Sequence, residues 1–238
     1  LHEQNSVPGL ANKALASKAS VVAVALPQAT HALAAHAGAG TSIVVTGNPV
    51  RRSVIDGDSA KGRASLDIPE GATLLLVFGG SLGAASINEA MERVRPSLMA
   101  RESLHVVHST GRDGYEQVVS TLNLTPAEQQ RYHVVPYIEN MGDLLAAADL
   151  VVSRAGASSI AEISAAAAPS ILVPYPFATA DHQTVNAHFL VGAKAAKLVA
   201  DDELSGAAFS LTCWIILRRG RLCTRLQPTW PKTGPLSV

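Results

Sequence analysis

From residue 21 to residue 199, short aliphatic runs alternate with longer stretches of helical periodicity. No other feature limits the fold so tightly. The runs fall at 21–26, 42–46, 73–78, 104–109, 132–135, 150–153, 170–175 and 196–199. Most are apolar at consecutive positions and rich in Val, Ile and Leu, the pattern of strands buried on both faces. Between them, 84–94, 114–121, 141–147, 158–167 and 182–192 read as helices. Strand, helix, strand at this rhythm predicts βαβ units and an α/β fold with a doubly wound parallel sheet. Hydrophobic residues make up 47% of the chain but aromatic ones only 4%, so the core must be built from aliphatic side chains.

Gly47-Asn48-Pro49-Val50-Arg51 punctuates the chain directly after a run and predicts a boundary near residue 50. Residues 1–50 are expected to be the end of one domain. Residues 51–205 are expected to be a nearly complete second one, opening with a polar stretch to Gly71 that holds a short helix around 59–66. From about Gly206 the alternation stops, and Trp214, Arg218-Arg219, Cys223 and Trp230 crowd in with several prolines. An atypical tail over 206–238 is expected, with a shifted reading frame as its cause and an ordinary variable tail as the alternative. Leu1 stands directly before a patterned segment, which reads as the start of a fragment.

The formal net charge of zero leaves no electrostatic footprint for nucleic acid. No apolar run reaches the roughly 18 residues that mark a membrane-spanning helix. No secretory signal is legible. Cys213 and Cys223 lack metal-ligand spacing and define no disulfide framework, so a reducing compartment is expected.

The strongest local motif is Phe78-Gly79-Gly80-Ser81-Leu82-Gly83-Ala84, which follows a buried run and opens a helix. Glycines allow a sharp turn and close ligand approach, and a helix start offers unpaired N–H donors and a partial positive charge. Together they predict an anion site with Ser81 as an added donor, against the plainer reading of a tight turn. The spacing is not G-x-G-x-x-G, and Val107-His108-Ser109 ends the next strand without an acidic residue. A dinucleotide cofactor is therefore disfavoured, and no cofactor is expected. No P-loop motif is present either.

A second constellation, Ser153-Arg154-Ala155-Gly156-Ala157-Ser158-Ser159-Ile160-Ala161-Glu162, also lies between a strand and a helix. Ser158 or Ser159 can cap that helix, and Glu162 stands at capping-box spacing from Ser159. The functional reading is a second phosphate-facing helix start, with Glu162 one turn in and able to take both hydroxyls of a ribose. Two such helix starts after strands of one parallel sheet face the same edge, where ligands bind. That conjunction suits a nucleoside diphosphate.

In a third stretch, Asp181 can cap the helix that follows, while His182, Gln183 and Asn186 are suited to holding sugar hydroxyls. His182 and His188 do not share a helix face, so no metal pair is expected. Met141 and Leu144-Leu145 read as core or pocket wall. Asp56-Gly57-Asp58 reads as a turn and not as a metal motif, and no metal site is predicted. His2-Glu3-Gln4-Asn5, just before a helix, reads as a polar surface loop on its own terms.

These motifs in this order resemble the peptidoglycan transferases of glycosyltransferase family 28. The matching pieces are His2-Glu3-Gln4-Asn5, Thr46-Gly47-Asn48-Pro49-Val50-Arg51, Gly79 to Ala84, Tyr137-Ile138, Ser153 to Glu162 and Asp181 to Ala187. The likeness implies the two-domain GT-B architecture, here as one nearly complete Rossmann-like domain plus a remnant of the other. It implies transfer of N-acetylglucosamine from UDP-N-acetylglucosamine to lipid I, giving lipid II with inversion at the anomeric carbon.

By that likeness Asn5 and Arg51 line the donor site from the interdomain side, and Ser81 touches the diphosphate. Ile138 presents its backbone to uracil. Ala157, Ser158, Ser159, Ile160, Ala161 and Glu162 hold phosphate and ribose, and Gln183 grips the sugar. Ser159 stands where the family usually has Thr and keeps the hydroxyl. The resemblance puts the family at the cytoplasmic face of the plasma membrane as a peripheral protein.

The family's proposed base and its membrane-facing acceptor surface are expected upstream of Leu1, so no catalytic residue is assigned here. Donor binding without turnover is the expectation for the chain alone. The alternatives are a non-catalytic UDP-sugar-binding fragment or relic, a GT-B relative using another acceptor, and an epimerase of UDP-N-acetylglucosamine.

Overall fold

A computed structural model describes residues 1–205 and Phe209; the tail expected over 206–238, with both cysteines, otherwise lies outside the described residues. Two parallel sheets organise the described residues. The first has three strands in the order of the sequence: β1 (His2–Glu3), β2 (Val21–Val24) and β3 (Ser42–Val45). Helix α1 (Leu10–Leu15), prolonged by a 3-10 turn, links β1 to β2, and α2 (Gln28–Ala34) links β2 to β3. Val22 and Val24 pack with Ala16, Ala29 and Leu33 into a small core. The tetrad at the N-terminus is thus not wholly a surface loop. His2 and Glu3 pair with Ala23 and Val24.

Helices α3 (Arg52–Ile55) and α4 (Ser59–Ala64) lead into the second sheet. The turn expected at Asp56-Gly57-Asp58 links α3 to α4. The Asp58 carboxylate accepts the Ala60 and Lys61 N–H groups at 2.9 and 3.3 Å and caps α4.

The second sheet holds β4 (Thr73–Phe78), β5 (Leu104–Ser109), β6 (Tyr132–Val135), β7 (Leu150–Ser153), β8 (Ser170–Leu172) and β9 (Ala196–Leu198). Their order is β6-β5-β4-β7-β8-β9, all parallel. The order reverses between β4 and β7, which makes that pair the topological switch point. The connecting helices are α5 (Ala85–Met99), α6 (Tyr115–Leu122), α7 (Pro126–Gln129), α8 (Met141–Ala147), α9 (Ala157–Ala165) and α10 (His182–Gly192).

Alternate residues of β4 serve two cores. Leu75 and Val77 pack with Ile87, Met91 and Val94 of α5, while Leu74, Leu76 and Phe78 pack with Leu144, Ile160 and Leu190 of α8, α9 and α10. A strand buried on both sides has no polar face, which is why these runs are continuously apolar.

Several boundaries differ from the sequence pattern, among them those of β2, β8 and α5. β2 ends at Val24, two residues before the run does. β8 ends at Leu172, ahead of Pro174, which has no N–H to give a neighbouring strand. Helix α5 runs on through Pro96 to Met99 because its last turn buries Leu98 and Met99 in the core.

Candidate functional site

Phe78 and Ser153 are register partners at the carboxyl ends of β4 and β7. The turns that leave them therefore start side by side. After Phe78 the backbone takes left-handed conformations at Gly80 and Gly83, with φ of 97° and 80°. A Cβ on Gly83 would lie 2.0 Å from the carbonyl oxygen of Thr110, so both dihedral and space demand glycine there. Helix α5 starts only at Ala85, with Ala84 as its uncapped first flank. Ser81 thus stands exposed in the turn ahead of the helix, not within its first turn.

The turn after Ser153 ends at Gly156, which flanks α9 without any side-chain cap. Among the described residues no protein acceptor takes the N–H groups of Ala157, Ser158 and Ser159; the first intrahelical bond is from Ile160 to Gly156, at 2.9 Å. Free donors and the positive end of the α9 dipole point the same way. The capping box that the Ser159–Glu162 spacing allows does not form. The cap position falls at Gly156, three residues earlier, and the Glu162 carboxylate instead accepts from Arg51 Nη2 at 3.2 Å. This hydrogen bond and ion pair hold the Arg51 guanidinium above its ordinary pKa.

Both turns open on one cleft of about 470 Å³, within the range of small-molecule sites. Asn5 and Arg51 line it from one side; Ser81 and Ile138 line it with Ala157, Ser158, Ser159 and Glu162. Met141, read as core or pocket wall, is part of it, as are Gln4 and Tyr137, which lie in matching pieces but carried no assigned role, and Ser109. Ile160 and Ala161 turn their side chains into the core, leaving only their backbone on the helix that faces the cleft. Gln183 does not line the cleft; its Oε1 accepts the Tyr175 N–H at 2.9 Å.

Two readings of the third stretch are corrected. Asp181 does not cap α10: its own backbone is left-handed, and its carboxylate takes the Thr184 hydroxyl at 2.7 Å. Asn186 is not placed to meet a sugar, because it is fully buried and bonds to Asn5, Ser6 and Ala155.

Beneath the cleft two polar networks replace apolar packing. The Arg154 guanidinium donates to the Val173 and Pro174 carbonyls at 3.3 and 3.1 Å, to the Ser86 hydroxyl at 2.8 Å and to Asp201. It also lies over the ring of Tyr175. His108 sits between Tyr132 and Asn88 at 3.1 and 3.0 Å, and the Asn88 amide donates on to Thr110 O. Burial pushes the His108 imidazole down to a pKa of about 4. Neither network was legible as such, since its members are far apart in sequence. Among the described residues no group of three or more His, Cys, Asp or Glu is gathered so as to hold a metal ion. Among them, too, no helix is long and apolar enough to cross a membrane.

Comparison with known proteins agrees with this architecture. Residues 74–211 match the glycosyltransferase family 28 C-terminal domain. The UDP-N-acetylglucosamine--N-acetylmuramyl-(pentapeptide) pyrophosphoryl-undecaprenol N-acetylglucosamine transferase of Desulforudis audaxviator is 43% identical over 209 residues, which are 87% of this chain and 55% of that protein. The transferase of the same description from Halothermothrix orenii is 40% identical over 209 residues, 87% of this chain and 56% of its own length. The chain thus spans about half the length of the curated relatives it matches. The crystal structure of Acinetobacter baumannii MurG superposes with a TM-score of 0.69 at 28% identity, covering 93% of this chain and 58% of that one. With a GT-B-type parallel-sheet fold, a matched domain over more than half its length and relatives at this level of identity, the chain belongs to glycosyltransferase family 28.

Proposed function

We propose that this chain carries the donor site for transfer of N-acetylglucosamine from UDP-N-acetylglucosamine to the lipid-linked muramoyl-pentapeptide acceptor, lipid I, in peptidoglycan synthesis. One observation carries the reading: two βα turns leave register-paired strands and open on a single cleft, where the α9 N–H groups have no protein acceptor. Glycosyl transfer from a nucleoside diphosphate leaves negative charge on the departing diphosphate. Amide donors and a helix dipole already aimed at that charge stabilise the transition state without reorganisation. Ser81 adds a hydroxyl on the neighbouring turn. Glu162, held by Arg51, offers a carboxylate to the ribose hydroxyls, and the backbone at Ile138 is assigned to uracil. Gln183 is assigned to the sugar by the family resemblance alone, since its Oε1 accepts the Tyr175 N–H outside the cleft lining.

Inversion at the anomeric carbon, the acceptor and work at the cytoplasmic face of the membrane come with the family reading. The relatives named for this transfer are nearly twice as long as the matched region. For the 238 residues alone, donor binding without turnover is the expected behaviour.

Calorimetric titration tests the reading. UDP and UDP-N-acetylglucosamine are expected to bind with one-to-one stoichiometry, and uridine, which lacks the diphosphate, to give no measurable heat. Folded protein that ignores both diphosphates, or binds uridine as well as UDP, would reject it.

A further inference from the structure

We propose that Asn186 is a positioning residue that fixes which end of the Asn5 amide faces the cleft, and so makes Asn5 a hydrogen-bond donor to the bound nucleotide sugar. The inference rests on the cleft being a nucleotide-sugar site. Its structural half is independent of that.

Asn186 stands on α10 and is 0% exposed. Its Oδ1 accepts the Ser6 N–H at 2.9 Å and the Ser6 hydroxyl at 2.8 Å. Its Nδ2 donates to the Ala155 carbonyl and to Asn5 Oδ1, both at 3.2 Å. A side-chain amide can often be turned end for end, because its oxygen and nitrogen have the same shape. Here it cannot. A backbone N–H only donates and a backbone carbonyl only accepts, so Ser6 and Ala155 dictate the orientation of Asn186. Its nitrogen therefore faces Asn5, and Asn5 must answer with its oxygen.

The consequence falls on the other end of Asn5. Among the described residues its Nδ2 has no protein partner, on a half-buried side chain that lines the cleft. The rest of the residue is fixed as well. Its backbone N–H donates to Glu3 Oε1 at 2.9 Å, and Glu3, itself buried, also takes the Gly9 N–H and the Asn12 amide. Asn5 is thus presented as a rigid two-proton donor. It suits an acceptor oxygen: a phosphate oxygen, a sugar hydroxyl or an acetamido carbonyl. Because Asn186 also bonds to Ala155, two residues before α9 begins, the same amide sets Asn5 against the α9 N-terminus.

Side-chain amide exchange by NMR, on the 238-residue chain without ligand, reads the orientation directly. The Asn186 NH2 protons should be protected and the Asn5 NH2 protons should exchange rapidly. On adding UDP-N-acetylglucosamine the Asn5 NH2 resonances should shift while those of Asn186 stay. Asn5→Asp keeps an oxygen towards Asn186 but removes the donor, and should weaken UDP-N-acetylglucosamine binding by about tenfold or more with thermal unfolding little changed.

Asn186→Asp cannot donate, so Asn5 should turn its NH2 towards the new carboxylate and become protected, a signature that loss of packing would not give. If that variant does not fold, the wild-type exchange pattern and Asn5→Asp still decide the matter. A protected Asn5 NH2 in the free protein overturns the role of Asn186 even where ligand binds. Wild-type affinity in Asn5→Asp overturns the donor role. A flat wild-type titration with the expected exchange pattern overturns the nucleotide-sugar reading, and with it the ligand assigned to Asn5.

Discussion

Lowering the pH from 7.5 to 4.5 should take about 2.5 kcal/mol of stability from the folded chain through His108 alone. The Asn88 amide donates to Thr110 O, so its oxygen faces His108 and the ring proton must sit on Nε2. Nδ1 is then the acceptor for the Tyr132 hydroxyl. Every polar atom of the neutral ring is satisfied, whereas a second proton would bring a charge into a buried site. Burial lowers the pKa from 6.5 to about 4. At about 1.36 kcal/mol per pH unit, that fall is worth about 3 kcal/mol, most of it lost by pH 4.5.

The sign follows from proton counting. Between pH 6.5 and 4 the unfolded chain binds the extra proton and the folded one does not, so stability is complete above 6.5 and drains away as the pH falls to 4. His105 and His133 are also lowered by burial and add in the same direction. Comparison with His108→Gln isolates the one ring: urea unfolding followed by circular dichroism at several pH values should give a wild-type-minus-variant difference that shrinks with acid. If the variant does not fold, an NMR titration of the His108 ring should show a midpoint near 4. A midpoint near 6.5, or a difference that stays flat to pH 4.5, would refute the reasoning.

Three further outcomes are expected. Glu162→Ala should weaken UDP binding by about 1–3 kcal/mol in calorimetry, and unchanged affinity would remove the ribose role. Gly83→Ala forces a Cβ onto Thr110 O in a left-handed backbone and should destabilise by more than about 1 kcal/mol in urea unfolding, with loss of UDP affinity; a variant as stable as wild type would show the turn to be slack. Arg154→Met leaves Asp201 and two buried carbonyls without their donor and should cost about 3 kcal/mol; a loss below about 1 kcal/mol would mean that water replaces the guanidinium.

Local chemistry was legible where it is local in space as well as in sequence. The continuous apolar runs gave the second sheet because both of its faces are covered, and Gly80 and Gly83 marked a turn that only glycine can make. Where a side chain had a local and a distant partner to choose from, the sequence pointed to the local one. Ser159 and Glu162 have capping-box spacing, yet Glu162 finds Arg51, 111 residues away, because the helix begins earlier and carries the carboxylate towards an opposite charge. Asn186 stands among polar residues at a helix entrance, but its position on α10 points inward. Conversely, Thr125 and Glu128 form a full capping box with Pro126 just inside the helix, a local signal that the apolar periodicity of so short a helix could not reveal.

The Asn5–Asn186 bond joins residues 181 positions apart. During synthesis the first βα units of the chain can collapse as they emerge, since their contacts are near neighbours. The cleft's lining is complete at Glu162, but the bond that orients Asn5 waits for α10, so a nascent chain stalled before that helix emerges would be compact and yet hold Asn5 without its fixed orientation.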